Sequence, residues 1–346
     1  NTPGDTADVL VAMNPAALKA NKNYVKKGGS IILNIDSFTK RDLEKAGYQS
    51  SPLDDNSLES FNLIKAPITK LTRETLKNSN LNGKSIGRCK NIFALGVVYW
   101  MFNRPLGPTI NFLEKKFKKN TDLSSANVKV LKAGYNFANT IEVFSSSYTV
   151  SSANLKKGIY RNIMGNQALS WGLLSAAENT QKKIFLGSYP ITPASDILHE
   201  LAKHKSFGVI TFQAEDEIAG ISSAIGASLA GNLAITTTSG PGLALKSEAI
   251  GLAVMTEIPI VVIDVHGGGP STGLPTKTEQ ADLMQALYGR NGESPVIVLA
   301  CSTPSNCFDW AYEASKLALE NNTPVILLSD GYIANGAEPW QIKSTK

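Results

Sequence analysis

Residues 208–265, GVITFQAEDEIAGISSAIGASLAGNLAITTTSGPGLALKSEAIGLAVMTEIPIVVIDV, decide the architecture. Short apolar, β-branched runs (GVITFQ, AITTT, PIVVIDV) alternate with longer segments of helical period, and the short runs lack the polar alternation of a half-exposed strand. Strands buried on both faces and separated by helices imply a doubly wound parallel sheet. The alternation continues outward on both sides. Before it, residues 165–177 read as a helix, 183–187 as a strand and 194–203 as a helix. After it come helix 278–288, strand 295–299, helix 304–320 and strand 324–329. Thr303 ahead of Pro304, and Thr278 ahead of Glu279, are helix-start signals.

The first half is less regular. Residues 7–14 (ADVLVAMN) read as a strand, 15–25 as a helix opened by Pro15, and 30–36 (SIILNID) as a second strand after a Gly28-Gly29 turn, which is β-α-β order. Residues 40–82 read as polar and irregular, and 92–102, 110–119 and 127–140 carry helical period around Pro105 and Pro108. The Ser-rich stretch 145–157 (SSSYTVSSANLKK) has the composition of a connection. Two domains are therefore expected, 1–158 and 159–346, both α/β.

Composition excludes several classes. The 346 residues are 42% hydrophobic and 18% charged, the balance of a globular chain. A net charge of +5 comes from lysines scattered along the first half, with no basic helix face to follow a nucleic acid. The most apolar run, 92–102, falls short of the roughly 20 residues that span a bilayer. Cys89, Cys301 and Cys307 show no CxxC spacing and cannot provide four thiolates for a cluster or a structural zinc, so no metal site is expected in this chain. The chain opens at Asn1 without a charged leader followed by an apolar stretch, so it is expected to be part of a longer, cytoplasmic protein.

In open α/β sheets ligands bind beyond the carboxyl ends of the strands, and four such loops stand out. In Gly187-Ser-Tyr-Pro-Ile-Thr-Pro-Ala-Ser195, prolines flank Thr192 and hold its hydroxyl in place, although Thr192 or Ser195 as a helix cap explains the spacing equally well. Gln213-Ala-Glu-Asp-Glu217 sets three carboxylates before a helix of small residues, where the helix dipole accounts for Glu215 and Asp216. Thr237-Thr-Ser-Gly-Pro-Gly-Leu243 can cradle an anion on free N–H groups, or be an ordinary βα turn. The loop from Val265 to Thr276 does not match G-x-G-x-x-G, because Pro270 and Pro275 interrupt it, which argues against a nicotinamide cofactor. Three histidines leave no catalytic triad: His199 and His204 read as solvated helix residues, and His266 falls in the last of these loops.

Together the segments SYPITPASD, QAEDEIAGISSAIGAS, TTTSGPGLALKSEAIGLA and GGGPSTGLPTKTEQADL resemble the α subunit of 2-oxoacid:ferredoxin oxidoreductases. The likeness is dense over 165–346, and residues 1 to about 160 resemble the latter part of the γ domain that many members carry fused ahead of it. The resemblance implies a thiamin-diphosphate-binding fold that holds the pyrimidine side of thiamin pyrophosphate. A separate β subunit would hold the diphosphate, its Mg²⁺ and a [4Fe–4S] cluster. Coenzyme A would be co-substrate, ferredoxin the acceptor, and the assembly (αβ)₂. Thiamin becomes a nucleophile when a carboxyl group pushes its aminopyrimidine toward the imino form, and a desolvated glutamate suits that task. The family motif maps this glutamate onto Glu217, with Glu215 as the alternative. It maps the substrate-side threonine onto Thr192, a carboxylate-binding threonine onto Thr276, and cofactor contacts onto Tyr189, Pro190, Ile191, Ser239 and Gly240.

One departure stands out. Where the family has an arginine for the substrate carboxylate (VQRGGPSTG), this chain reads Val265-His266-Gly267-Gly268-Gly269, so that the arginine position is Gly267. Such a pair is worth about 1.5–3 kcal/mol, so that either Lys277, Arg290 or a protonated His266 stands in for it or affinity for the 2-oxoacid is poor. The TKTEQADLMQALYGRNGESP and LLSDGYIANGAEPW segments resemble the 2-oxoglutarate class more than the pyruvate class. The alternatives are the same chemistry on pyruvate or another 2-oxoacid, a non-catalytic thiamin-fold assembly subunit, and a nucleotide-binding Rossmann protein unrelated to thiamin.

Overall fold

The computed structural model describes residues 6–141, 148–274 and 276–342. The chain divides into two units, Thr2–Leu155 and Lys156–Lys346. The Ser-rich stretch 145–157 lies partly outside the described residues, and from 148 to 156 it forms neither helix nor strand.

In the N-terminal unit the order is β1 (Ala7–Ala12), α1 (Pro15–Asn21), β2 (Val25–Asn34), α2 (Lys40–Lys45), β3 (Asn62–Ala66), α3 (Ile68–Thr75), α4 (Gly83–Arg88), α5 (Lys90–Met101), α6 (Gly107–Lys116) and α7 (Thr121–Thr140). Asn14 starts α1 by accepting from the Ala17 N–H at 2.8 Å, with Pro15 next in line. The three strands lie parallel in the order β1-β2-β3. Gly28 and Gly29 do not precede the second strand as expected. They sit inside it, where the register slips between Ala7↔Val25 and Val9↔Ser30, and Gly28 takes φ +76. Nor is 40–82 irregular: it holds β3 and α3, whose short apolar runs bury Ile64, Ala66 and Ile68. Helices α5 and α7 cross at Gly96 and Gly134, where a Cβ would fall 2.8 Å from Tyr135 N and 2.9 Å from the Phe93 carbonyl carbon respectively. Only a missing side chain allows that approach. Around it Phe93, Val97, Met101, Val130 and Ala138 form the core.

The C-terminal unit runs β4 (Tyr160–Met164), α8 (Gly165–Thr180), β5 (Ile184–Ser188), α9 (Ser195–Leu201), β6 (Ile210–Gln213), α10 (Glu217–Leu229), β7 (Leu233–Thr238), α11 (Gly240–Met255), β8 (Ile260–His266), α12 (Leu283–Tyr288), β9 (Ile297–Ala300), α13 (Asn306–Asn321), β10 (Pro324–Asp330), α14 (Gly331–Asn335) and β11 (Ala337–Gln341). Six strands form one parallel sheet, β6-β5-β7-β8-β10-β9, and β11 pairs antiparallel with β4. Alternate strand residues feed two cores. Val261, Ile263 and Leu327 pack with α8 and α13, while Ile260, Val262 and Ile326 pack with α10 and α11. This is the doubly wound α/β sheet expected from the apolar runs. From β5 the chain goes to β6 on one side and then returns to β7 on the other, so a crevice opens beyond the carboxyl ends of β5 and β7.

Two helix starts differ from expectation. Thr278 caps nothing: α12 begins only at Leu283, because Glu279 accepts from Gly269 N–H (2.6 Å) and Gln280 donates to Asp330 (2.6 Å), tying residues 276–282 into a loop. Helix α13 begins at Asn306, whose amide oxygen accepts from the N–H groups of Ser302 and Thr303. No described helix is long and apolar enough to cross a membrane.

Candidate functional site

The crevice is built by three loops. After β5, Ser188 and Tyr189 turn inward. The Ser188 hydroxyl lies 2.5 Å from Thr237 Oγ1 and the Tyr189 hydroxyl 3.0 Å from Thr238 Oγ1, which stitches the loop to β7. Ile191 packs against the core, and Ser195 Oγ bonds the N–H (2.9 Å) and carbonyl (3.0 Å) of Ile191. The loop is thus closed on itself while Pro190 and Thr192 face outward. Neither Thr192 nor Ser195 caps α9, whose cap position is Ala194.

The three carboxylates of the second loop separate in role. Asp216 caps α10, accepting from Ala219 N–H at 2.8 Å, and Glu215 is exposed. Glu217, in the first turn of α10, is half-buried, with its side chain beside Gly242 of α11. A Cβ on Gly242 would sit 3.0 Å from Glu217 Cγ and would collide with the Tyr189 and Thr238 hydroxyls. The bare backbone of Gly242 therefore lets the Tyr189 and Thr238 hydroxyls and the Glu217 side chain converge against α11. Burial, chiefly, pushes the Tyr189 phenol upward; the Thr238 hydrogen bond opposes this and the charge of Glu217 adds to it, so the hydroxyl keeps its proton.

Next to these groups lies Lys246, fully buried on α11 and not singled out from the sequence. Its ammonium donates to the Glu217 carbonyl at 2.8 Å and to Thr236 Oγ1 at 3.1 Å, and stands 5.1 Å from the Tyr189 ring centroid. Burial lowers its pKa to about 8 against the opposing charges of Glu217 and Asp216. A signal was present, since Gly242, Lys246, Ala249, Ile250 and Ala253 fall on one buried helical face.

The third loop opens α11. Ser239 occupies the cap position with extended backbone but makes no side-chain capping bond, and Pro241 follows Gly240. A Cβ on Gly240 would meet both Asp282 carboxylate oxygens at 2.7 Å. The helix start expected as an anion cradle thus already faces a carboxylate of the chain itself.

Thr276 and Gly267 belong to a neighbouring region. Gly268 N–H donates to the carbonyls of Leu274 (3.2 Å) and Lys277 (2.8 Å), folding the loop back on itself, and Thr276 is exposed on it; Pro275 lies outside the described residues. A groove of about 700 Å³ lies between this loop and α11, lined among others by Gly240, Gly267, Ser271, Glu279 and Asp282.

Of the stand-ins for the missing arginine, Arg290 is engaged elsewhere, donating to the carbonyls of Ser294, Ala286 and Leu287. His266 is buried, and burial lowers its pKa although Asp282 and Asp330 oppose it, which disfavours the protonated form. Lys277 is exposed on the loop itself. The other histidines divide: His199 is solvated as expected, whereas His204 packs 3.5 Å from Glu200. Burial works to raise Glu200, but donors from Lys203, Gln167 and Trp171 outweigh it and hold the carboxyl at about 2. This cluster fixes α9 to α8.

Comparisons with known proteins agree on the kind of chain this is. Residues 178–346 match the model of the pyruvate flavodoxin/ferredoxin oxidoreductase thiamine-diphosphate-binding domain, and residues 1–137 match that of pyruvate ferredoxin/flavodoxin oxidoreductase. The chain is 55% identical over 99% of its length to the 2-oxoglutarate oxidoreductase subunit KorA of Mycobacterium tuberculosis, covering 52% of that protein. It is 45% identical over 51% of its length to the 2-oxoglutarate synthase subunit KorA of Archaeoglobus fulgidus, covering 50% of it. Among solved structures, 2-oxoglutarate:ferredoxin oxidoreductase from Magnetococcus marinus, with 2-oxoglutarate, coenzyme A and succinyl-CoA bound, aligns at TM-score 0.84 and 34% identity over 99% of this chain and 55% of that one. The chain spans about half the length of these relatives.

Proposed function

Because this chain belongs to the 2-oxoacid:ferredoxin oxidoreductases, we propose that it is the α-subunit part that holds the pyrimidine side of thiamin pyrophosphate and acts on 2-oxoglutarate. The observation that carries this is the convergence of the Tyr189 and Thr238 hydroxyls with the Glu217 side chain on the bare face of Gly242, inside the segment that matches the thiamin-diphosphate-binding model. The relatives named for 2-oxoglutarate support the substrate.

The residues fit such a group. Glu217 brings a carboxylate beside the Tyr189 and Thr238 hydroxyls, while Asp282 against Gly240 leaves no anion cradle at α11. That suits a chain that receives the pyrimidine and leaves the diphosphate and its Mg²⁺ to a β subunit. Thiamin, when bound, would supply a carbon nucleophile for the 2-oxo group and an electron sink for the pair left behind as CO₂ departs. Glu217 would share a proton with the ring nitrogen of the pyrimidine, and Lys246, bonded to its carbonyl, holds the start of α10 in place. Tyr189, Pro190, Ile191, Ser239 and Gly240 would bound the ring, and Thr192, exposed on the closed loop, would face the substrate. Thr276 and Lys277 would approach its carboxylate. 2-Oxoglutarate and coenzyme A would give succinyl-CoA, CO₂ and a proton, and two electrons would pass through a [4Fe–4S] cluster of the β subunit to two ferredoxins. Residues 1–158 would be the γ-type domain and 159–346 the α domain of an (αβ)₂ cytoplasmic enzyme.

The test is anaerobic viologen reduction with coenzyme A by the full-length subunit co-expressed with its β-type partner. Preferential turnover of 2-oxoglutarate over pyruvate is expected, and Gly267→Arg should lower its KM. Activity unaffected by both Glu217→Gln and Thr192→Ala would leave an assembly subunit in place of a catalytic one.

A further inference from the structure

Strand β8 is apolar except at its end, where Asp264 and His266 stand two residues apart and so project from one face. Asp264 is completely buried and His266 nearly so. Asp282, from the segment before α12, closes against them: His266 Nε2 lies 3.3 Å from Asp264 Oδ2 and 4.0 Å from Asp282 Oδ2. One donor atom from each of the three falls within 4.8 Å of the others. Both Asp264 oxygens, both His266 ring nitrogens and Asp282 Oδ2 are buried without a hydrogen-bond partner among the described residues. Two carboxylates and an imidazole in an apolar setting are costly unless something binds them.

We propose that Asp264, His266 and Asp282 form a binding site for a divalent cation of the zinc type. The donor set decides the class, since an imidazole with two carboxylates suits Zn²⁺, whereas Mg²⁺ and Ca²⁺ ask for six or more oxygens. Donors at about 2.0–2.2 Å from one ion in tetrahedral array lie roughly 3.3–3.5 Å apart; the His266–Asp264 pair stands at 3.3 Å, and Asp282, at 4.0 Å from Nε2, closes further onto the ion. Three protein ligands leave a fourth position, and Asp282 also lines the groove beside Gly240 and Gly267. A cation here clamps the end of β8 to the 276–282 segment, and with it the loop that carries Thr276. The site does not rest on the reaction proposed above and lies in this chain, not in the partner that would hold the thiamin magnesium.

The rival occupant is a proton shared between Asp264 and Asp282. To separate the two, the full-length subunit in its complex is stripped with chelator, equilibrated with Zn²⁺ alone and dialysed, and zinc per subunit is measured by mass spectrometry. The parent should retain one zinc per subunit more than Asp264→Asn or His266→Gln, while a His199→Ala/His204→Ala double variant should match the parent. Zinc should also raise the thermal midpoint of the parent and not that of the variants. Equal retention by parent and His266→Gln overturns the site. If Asp264→Asn does not fold, His266→Gln alone decides by the same two measurements.

Discussion

Two places on the same sheet end bury ionisable side chains, and they do so in opposite ways. Beyond β5 and β7, Lys246 reaches the Glu217 carbonyl and Thr236, Tyr189 reaches Thr238, and Ser188 reaches Thr237. Beyond β8, Asp264 and His266 find no hydrogen-bond partner among the described residues. A satisfied network holds its geometry before any ligand arrives, whereas an unsatisfied one is stabilised by what binds it. The first region is thus suited to preorganised chemistry and the second to capture of a proton or cation.

The sharpest way to break this contrast is at the carboxylates of the first region. Glu217→Gln should lower turnover by about 10²–10⁴-fold, the usual contribution of a positioned acid–base group, while Glu215→Gln, at an exposed position, should stay within about twofold. Steady-state kinetics on the complex reads both, and equal losses would remove Glu217 from its role.

The close approach at Gly242 gives the next effect. Gly242→Ala puts a methyl against Tyr189, Thr238 and Glu217, and should weaken thiamin pyrophosphate binding about tenfold or more by calorimetry. Gly226→Ala, which meets nothing within 4 Å, should leave binding unchanged and stabilise α10 by about 0.5–1 kcal/mol in denaturant unfolding.

Lys246 offers a pH signature. Its folded-state pKa of about 8 lies below the ordinary 10.5, so the folded state disfavours the charged form. The unfolded chain binds more protons between these values, and stability contributed by this group rises with pH from about 8 to 10.5. Lys246→Met should flatten that rise in unfolding free energy and slow turnover if the Glu217 carbonyl needs its donor. An unchanged slope would mean that the ammonium is hydrated in solution.

The smallest effect falls on the outer loop. Lys277→Met should raise KM for 2-oxoglutarate a few-fold, whereas Arg290→Met should leave KM alone and lower stability by about 1–3 kcal/mol, because its guanidinium serves the end of α12.

The parallel sheet was legible because runs such as 324–328 are apolar throughout and several intervening helices start at a glycine or a carboxylate, as α8, α10 and α11 do. Segments whose partners lie far away in sequence were not. β3 hides in a polar stretch and gains its stability from pairing with β2, and β4 pairs with β11 across the whole C-terminal unit. The start of α12 was misplaced because Glu279 and Gln280 bond outside their own segment.

By itself the sequence determined the periodicities, the order of elements and the loops that end each strand, since these follow from local sterics and from the spacing of apolar residues. It also singled out Glu217 and Thr192 through motif likeness. The tertiary structure decided which groups meet: that Lys246 lies under Glu217, that Asp282 faces Gly240, and that Asp264, His266 and Asp282 share one buried point. Desolvation and hydrogen bonding depend on what surrounds an atom in space, and separate elements supply those neighbours only once the sheet has formed.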